Sequence, residues 1–341
     1  MAHRDLIVIG ASAGGIEALQ QLLQQLPADL KAAVLIVVHT SNHPASVLPH
    51  IMQRAGKLPA IHPADGTPIR NGHVYIAPPD FHMLVEGNFL RVIQGPRENL
   101  HRPAIDPLFR SAATSFGRRV IGVILTGALD DGTSGLMVVN AHGGGAIVQD
   151  PETALFSSMP ASALEQVPTA HVLPLGDIPA QLLQMIQEDL PDHGRKEHPD
   201  IETAKEIRIA ELDMSEIENE DRAGRPSAFA CPDCGGVLWE LEDNGFLRFR
   251  CRVGHAFTAR HLGAEQRNAI ETALWAALRA LEESASLYRR MAERASGASH
   301  EPTADRLNER AENTDENARV LREFLLTVNK DEEEERFAAE A

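Results

Sequence analysis

Ser12 lies in the run Gly10-Ala11-Ser12-Ala13-Gly14. This fits the G-x-S-x-G pattern of a nucleophile elbow, where small flanking residues let the chain turn sharply and stand a hydroxyl clear of a strand end. A serine attacks a carbonyl when a base takes its proton and a carboxylate fixes that base's tautomer and stabilises its charged form. Both partners occur at comparable places. Ser12 follows the apolar run LIVIG (6–10), His39 closes AVLIVVH (33–39), and Asp131 follows VIGVILTG (120–127). Open parallel sheets place their sites beyond the carboxyl ends of the strands, so the three side chains can converge. Taken singly, His39 is explained as a strand-end histidine and Asp131 as a turn residue in DDGTSG. All three strand ends carrying the right residue types point to acyl transfer.

Two other readings of the glycine loop fit less well. A dinucleotide fingerprint needs glycine where Ser12 stands and an acidic residue closing the second strand, which ends instead in His39. The chain order Ser-His-Asp also differs from the Ser-Asp-His order of α/β-hydrolases.

A second constellation lies far along the chain. Cys231-x2-Cys234, sixteen intervening residues, then Cys251-x3-His255 supply three thiolates and an imidazole. That is a filled tetrahedral shell of the structural zinc kind, with no position left for water. His261 is a nearby alternative for the fourth ligand. Three cysteines this close together suit a metal better than a disulfide framework.

The elements that must position these residues follow from patterning. Up to residue 185, apolar runs (also HVYIA at 73–77, FLRVI at 89–93 and AIV at 146–148) alternate with helical stretches such as 16–26 and 104–116. Strands apolar throughout belong to sheets covered on both faces, so the expected fold is α/β, with a doubly wound, mostly parallel sheet. Residues 186–226 are rich in charge, Pro and Gly and read as a charged linker, with room for a short helix. Residues 227–260 form a zinc-ribbon-like module whose hairpin turns at Asp243-Asn244-Gly245. Apolar residues at three- and four-residue spacing make 261–330 an antiparallel helical hairpin broken near 296–303. The acidic tail at 331–341 is expected to fray. Nothing in the linker suggests that the zinc module reaches the serine edge, so the α/β domain is expected to work without it. The hairpin offers apolar area to a partner.

The net charge of the 341-residue chain is −17, with 32 Lys+Arg against 49 Asp+Glu. So acidic a chain has few cations with which to displace counterions from a phosphate backbone, and nucleic acid is not an expected partner. There is no apolar run near a membrane span in length, and the strand starting at Leu6 leaves no room for a signal peptide. Cytoplasmic residence without membrane insertion is the expectation.

The segments VIGASAGG, VVHTSNHP, VYIAPPDFHM, HRPAIDPLFRSAA, GVILTGALDDGTSG and GGAIVQDPETALFSSMP, in this order over residues 6–180, resemble the catalytic domain of chemotaxis protein-glutamate methylesterases, the CheB family. The resemblance implies Ser12 as nucleophile, His39 as general base and Asp131, directly before Gly132, as triad acid, with Asp130 the competing carboxylate. It implies an oxyanion donor in the backbone N–H of Ala128, where similar proteins usually have methionine; they usually carry a hydroxyl residue at Ala13 and often glutamine at Val38. It implies hydrolysis of glutamate methyl esters on methyl-accepting chemoreceptors, deamidation of receptor glutamine, and no cofactor for the chemistry. The family's usual amino-terminal receiver domain is not found ahead of Leu6, so control by receiver phosphorylation in cis is not expected. A non-catalytic adaptor built on the esterase fold is the alternative. His82, His101, Arg102, Asp106, Gln149 and Asp150 are read as capping and ion-pairing residues, and His43 and His50 as solvated helix positions.

Overall fold

The computed structural model describes residues 3–39, 46–190, 201–219, 223–243, 245–298 and 300–340; His43 and Asn244 lie outside them. The chain divides into two compact units, Met1–Leu262 and Gly263–Ala341. The first opens with β1 (Leu6–Ala11), α1 (Gly15–Gln25), β2 (Ala33–Val38) and α2 (Leu48–Ala55), followed by β3 (Ala60–Ile61), β4 (Thr67–Pro68), β5 (Val74–Ile76), β6 (His82–Glu86) and β7 (Phe89–Ile93). Next come α3 (Ile105–Phe116), β8 (Val120–Ile124), α4 (Thr133–Ala141), β9 (Gly145–Gln149), α5 (Ser158–Gln166), β10 (His171–Leu173) and α6 (Ile178–Gln187). Helices α7 (Ile201–Ala210) and α8 (Met214–Ile217) lead into β11 (Arg225–Ala230), β12 (Val237–Asp243), β13 (Phe246–Cys251) and β14 (Ala256–Thr258).

Strands β1, β2 and β8 are buried along their whole length, as their unbroken apolar sequences require. They lie inside a seven-stranded sheet of order β10-β9-β8-β1-β2-β5-β3 whose neighbours all run parallel. One core, with Leu19, Leu22 and Leu182, packs on one face, and a second, with Leu108, Phe109 and Leu136, packs on the other. The doubly wound sheet is present. Strand order reverses between β1 and β8, and the ends of β1, β2 and β8 form the crevice at that switch point.

Three expectations need correction. FLRVI, taken as part of the main sheet, is β7 in a separate antiparallel sheet of order β4-β7-β6. Its exposed Phe89 beside buried Leu90 is the alternation of a half-covered strand. The charged stretch taken as a linker holds α7, whose Glu206 is buried against Arg110 of α3 and Arg248 of β13. That charge is paired across the fold. The cysteine-containing sheet, antiparallel in order β11-β12-β13-β14, lies in the same unit as the α/β sheet and hydrogen-bonds to the loop between β7 and α3. The cysteine-containing module does not stand apart.

Helix α9 (Ala259–Gly297) starts in the first unit and continues into the second, where α10 (Glu301–Glu340) follows. Leu278, Ala318 and Leu325 form the small core of the pair. Arg322 pairs with Glu282 and Arg289 with Asp315, the crossing expected of antiparallel helices. α10 continues as helix to Glu340 through the tail expected to fray, a stretch rich in Glu and Ala without Gly or Pro to stop it.

Candidate active site

Ser12 leaves the end of β1 with its N–H donating to Thr126 O at 3.0 Å and its carbonyl accepting from Gly15 N at 2.9 Å. The turn into α1 passes through Gly14 at φ 71°, a left-handed conformation that side chains disfavour. Thr126, at the end of β8, ties the edges together. Its N–H donates to Gln149 Oε1 at 2.9 Å, and its hydroxyl donates to Ala13 O at 3.1 Å and accepts from Phe156 N at 2.8 Å. Ser12 is thereby held to two neighbouring strand ends at once.

Ser12 Oγ lies 3.2 Å from His39 Nδ1, and His39 Nε2 lies 3.0 Å from Asp131 Oδ2. An ionised carboxylate only accepts, so Nε2 carries the ring proton and donates, leaving Nδ1 as the acceptor facing serine. The three residues found at the strand ends are brought together. Asp131 is fully buried. Its Oδ2 also accepts from Ile105 N, at the start of α3, at 2.7 Å, and its Oδ1 accepts from Asn99 Nδ2 at 2.8 Å. Burial pushes its carboxyl up, but the hydrogen bond and charge of His39 and the Ile105 amide outweigh this and hold it below the carboxylate range. The helix N-terminus adds its partial positive charge.

Asp106 takes the opposite state. Burial and then the Asp131 charge push it up to about 8, while Asn99 Nδ2 at 3.0 Å and Gly135 N at 2.6 Å donate to its two oxygens. His101 stacks on His39, with ring centroids 3.6 Å apart and planes 14° from parallel. Burial first, then the neighbouring His39 charge, lower His101 to about 3, so it stays neutral when His39 gains a proton. Asp130 is turned away from His39. Its Oδ1 accepts from Thr258 Oγ1 at 2.6 Å and meets His261 Nδ1 at 2.8 Å.

The loop after β8 is clamped to α5. Met159 N donates to Gly127 O at 3.0 Å, and Leu129 N donates to Ser158 Oγ at 3.0 Å. Between them Ala128 is exposed, and its N–H has no hydrogen-bond acceptor among the described residues. A Cβ on Gly127 would stand 2.9 Å from Ser12 Cβ, so only glycine lets this loop close on the serine.

Sequence reasoning missed Asn99, Thr126 and Thr258, and treated His101, Asp106 and Gln149 as ordinary capping residues. Of the others, His82 Nε2 donates to Pro96 O (2.8 Å), Arg102 pairs with Asp80 (2.7 Å), and Asp150 caps the turn that follows it. His50 is exposed on α2, as expected.

The ligating atoms of Cys231, Cys234, Cys251 and His255 all lie within 4.8 Å of one another. His255 Nδ1 is 3.6 Å from both Cys231 Sγ and Cys251 Sγ, and Cys234 Sγ is 3.7 Å from Cys251 Sγ. A tetrahedral zinc ion with its usual bond lengths requires edges of about 3.5–3.8 Å, so the residues fit. His261, weighed for the fourth position, faces Asp130 instead.

Comparison with known proteins covers the first part of the chain. The CheB methylesterase family model matches residues 7–182. A protein-glutamate methylesterase/protein-glutamine glutaminase 1 of Rhodospirillum rubrum is 40% identical over 187 residues, covering 53% of this chain and 48% of that protein. A putative protein-glutamate methylesterase/protein-glutamine glutaminase of Leptospira interrogans is 37% identical over 187 residues, covering 54% of this chain and 97% of that protein. The crystal structure of the Thermotoga maritima CheB methylesterase catalytic domain matches with a TM-score of 0.52 and 32% identity, covering 55% of this chain and 100% of that one. The chain spans about half the length of several curated relatives. No helix among the described residues is long and apolar enough to cross a membrane.

Proposed function

We propose that this chain, which belongs to the CheB methylesterase family, is a serine esterase that removes methyl esters from glutamate side chains of chemoreceptors in the cytoplasm and deamidates receptor glutamines. The observation that carries the reading is the continuous contact from Ser12 Oγ through the His39 ring to Asp131, at 3.2 and 3.0 Å. The names of the relatives support the substrate class.

Ser12 Oγ attacks the γ-carbonyl while His39 Nδ1 takes its proton. Asp131 stabilises the resulting imidazolium through the Nε2 proton and does not itself become protonated. The N–H of Ala128 donates to the developing oxyanion. As the tetrahedral intermediate collapses, His39 returns the proton to the leaving oxygen and methanol departs. Water, deprotonated by His39, then releases the acyl group as glutamate and restores Ser12. With an amide substrate, ammonia leaves in place of methanol. The chemistry uses no cofactor. Cys231, Cys234, Cys251 and His255 would hold a zinc ion with a filled shell, whose contribution is folding energy and not a reacting water.

A fluorophosphonate probe tests the reading against that of a non-catalytic adaptor. Rapid labelling of Ser12, abolished by Ser12→Ala and by His39→Ala, is expected of the esterase. A chain whose Ser12 stays unlabelled is an adaptor.

A further inference from the structure

Asn99 joins the cysteine-containing sheet to the triad acid. It lies between β7 and α3 and is 3% exposed. Its backbone N–H donates to Ala256 O at 2.8 Å, and its side-chain oxygen accepts from Thr258 N at 3.0 Å. β14 therefore grips it from two sides. The amide nitrogen, fixed in direction by this grip, donates to Asp131 Oδ1 at 2.8 Å.

Asn99 and Leu100 both adopt positive φ, at 50° and 68°. Such strain persists only where surrounding structure holds it, and the surrounding structure here includes β14. That strand begins at Ala256, directly after His255, and Ala256 N donates to Arg97 O at 3.2 Å. His255 in turn accepts from Cys251 N at 2.9 Å through its carbonyl. The four-ligand cluster thus closes the loop from which β14 emerges. At the strand's other end Thr258 and His261 hold Asp130, the residue before Asp131, while Arg260 donates to Ser162 Oγ of α5 at 2.7 Å.

We propose that this metal-binding module is a working part of the esterase site: β14 fixes Asn99 as the positioning residue for Asp131, so that metal in the cluster sets the rate of chemistry at Ser12. The proposal rests on the esterase and zinc readings above. Without β14, Asp131 keeps His39 and the Ile105 amide but loses the donor that fixes its second oxygen, and the base it orients loses alignment.

The test uses the full chain with zinc content measured directly. A chelator is expected to remove about one equivalent of zinc and to lower kcat on a small aryl ester by about tenfold to a hundredfold, the scale of a small misalignment of a catalytic group. KM should hold, and the far-ultraviolet circular dichroism of the α/β fold should persist. The low-field proton resonance of the His39–Asp131 hydrogen bond should disappear, and zinc should restore both it and the rate. Asn99→Ala should show the same loss of kcat with zinc still bound, and chelation should then add little, because the two changes act through one contact. Zinc release with unchanged kcat and resonance overturns the proposal, as does an Asn99→Ala loss that simply adds to that of chelation. If Asn99→Ala does not fold, the chelation arm alone decides. A fully active chain isolated without zinc overturns the zinc reading and the proposal together. A zinc-loaded chain whose Ser12 stays unlabelled overturns the esterase reading.

Discussion

Asp130 and Asp131 are consecutive in the chain but serve different parts of the fold. Asp131 Oδ2 receives His39 Nε2 at 3.0 Å, whereas Asp130 Oδ1 receives Thr258 Oγ1 at 2.6 Å and lies 2.8 Å from His261 Nδ1. Asp131→Asn turns an amide toward His39 and favours the wrong tautomer, so kcat on a small ester should fall by about 10^4-fold with the fold retained. Asp130→Asn keeps an oxygen able to accept from Thr258 and should cost far less. Equal kcat losses in the two variants would contradict the assignment.

Gly127→Ala should lower kcat without unfolding the protein. The added Cβ would meet the end of the flexible Met159 side chain at 2.6 Å, which can move, and Ser12 Cβ at 2.9 Å, which is held by its loop. Displacement of the nucleophile by a fraction of an ångström to an ångström costs up to about 10^2-fold. Normal kcat in this variant would contradict the close approach.

Stability should fall with pH in a part that belongs to His101. Its folded value is about 3, and the unfolded chain binds its proton near pH 6.5. Below about 6.5 the unfolded state therefore holds more protons, and stability decreases as pH falls toward the folded value. His101→Phe keeps an aromatic ring against His39 but has nothing to protonate. Thermal unfolding of the two proteins between about pH 8 and pH 4 should diverge below about pH 6.5, the variant losing less. Asp106, raised to about 8, contributes the opposite slope and is present in both proteins. Parallel curves would contradict the role given to His101.

Glu206→Ala should destabilise the first unit. Glu206 lies 2.8 Å from Arg248 and 3.2 Å from Arg110, in a cluster where Glu98 also pairs with Arg110 at 2.6 Å and Arg250 at 3.1 Å. Burial raises the Glu206 carboxyl, but the three arginines outweigh it and hold it below the usual range. Removing it breaks buried ion pairs to Arg110 and Arg248 and takes a negative charge from a cluster of buried guanidinium groups, a change that costs about 3–5 kcal/mol. Denaturant unfolding measures this directly, and a loss under about 1 kcal/mol would show α7 to be dispensable.

Much of the fold was legible because burial on both faces writes itself as unbroken apolar runs, as in β1, β2 and β8. FLRVI misled because a five-residue apolar run does not show which sheet receives it, and only alternating exposure at Phe89 and Leu90 marks it as peripheral. Ser12, His39 and Asp131 could be found because each ends or follows a strand. Asn99 could not be, because its meaning lies in bonds to Thr258, 159 positions away, and to Asp131. The same holds for Glu206, which lies in a stretch read as a charged linker and is paired in space. The three cysteines and His255 could be picked out by spacing, with His261 left open for the fourth position, but the link from β14 to Asp131 could not, since it depends on β14 meeting the loop that holds Asn99.

The most direct measurement is methanol released from the methylated cytoplasmic fragment of a chemoreceptor, with identification of the product side chain. The full chain should release methanol and leave glutamate at each methylated position, while Ser12→Ala releases none above the uncatalysed background. Equal release by the two proteins, or none by either while the small-ester assay also fails, would contradict the assignment of Ser12 as the nucleophile of a methylesterase.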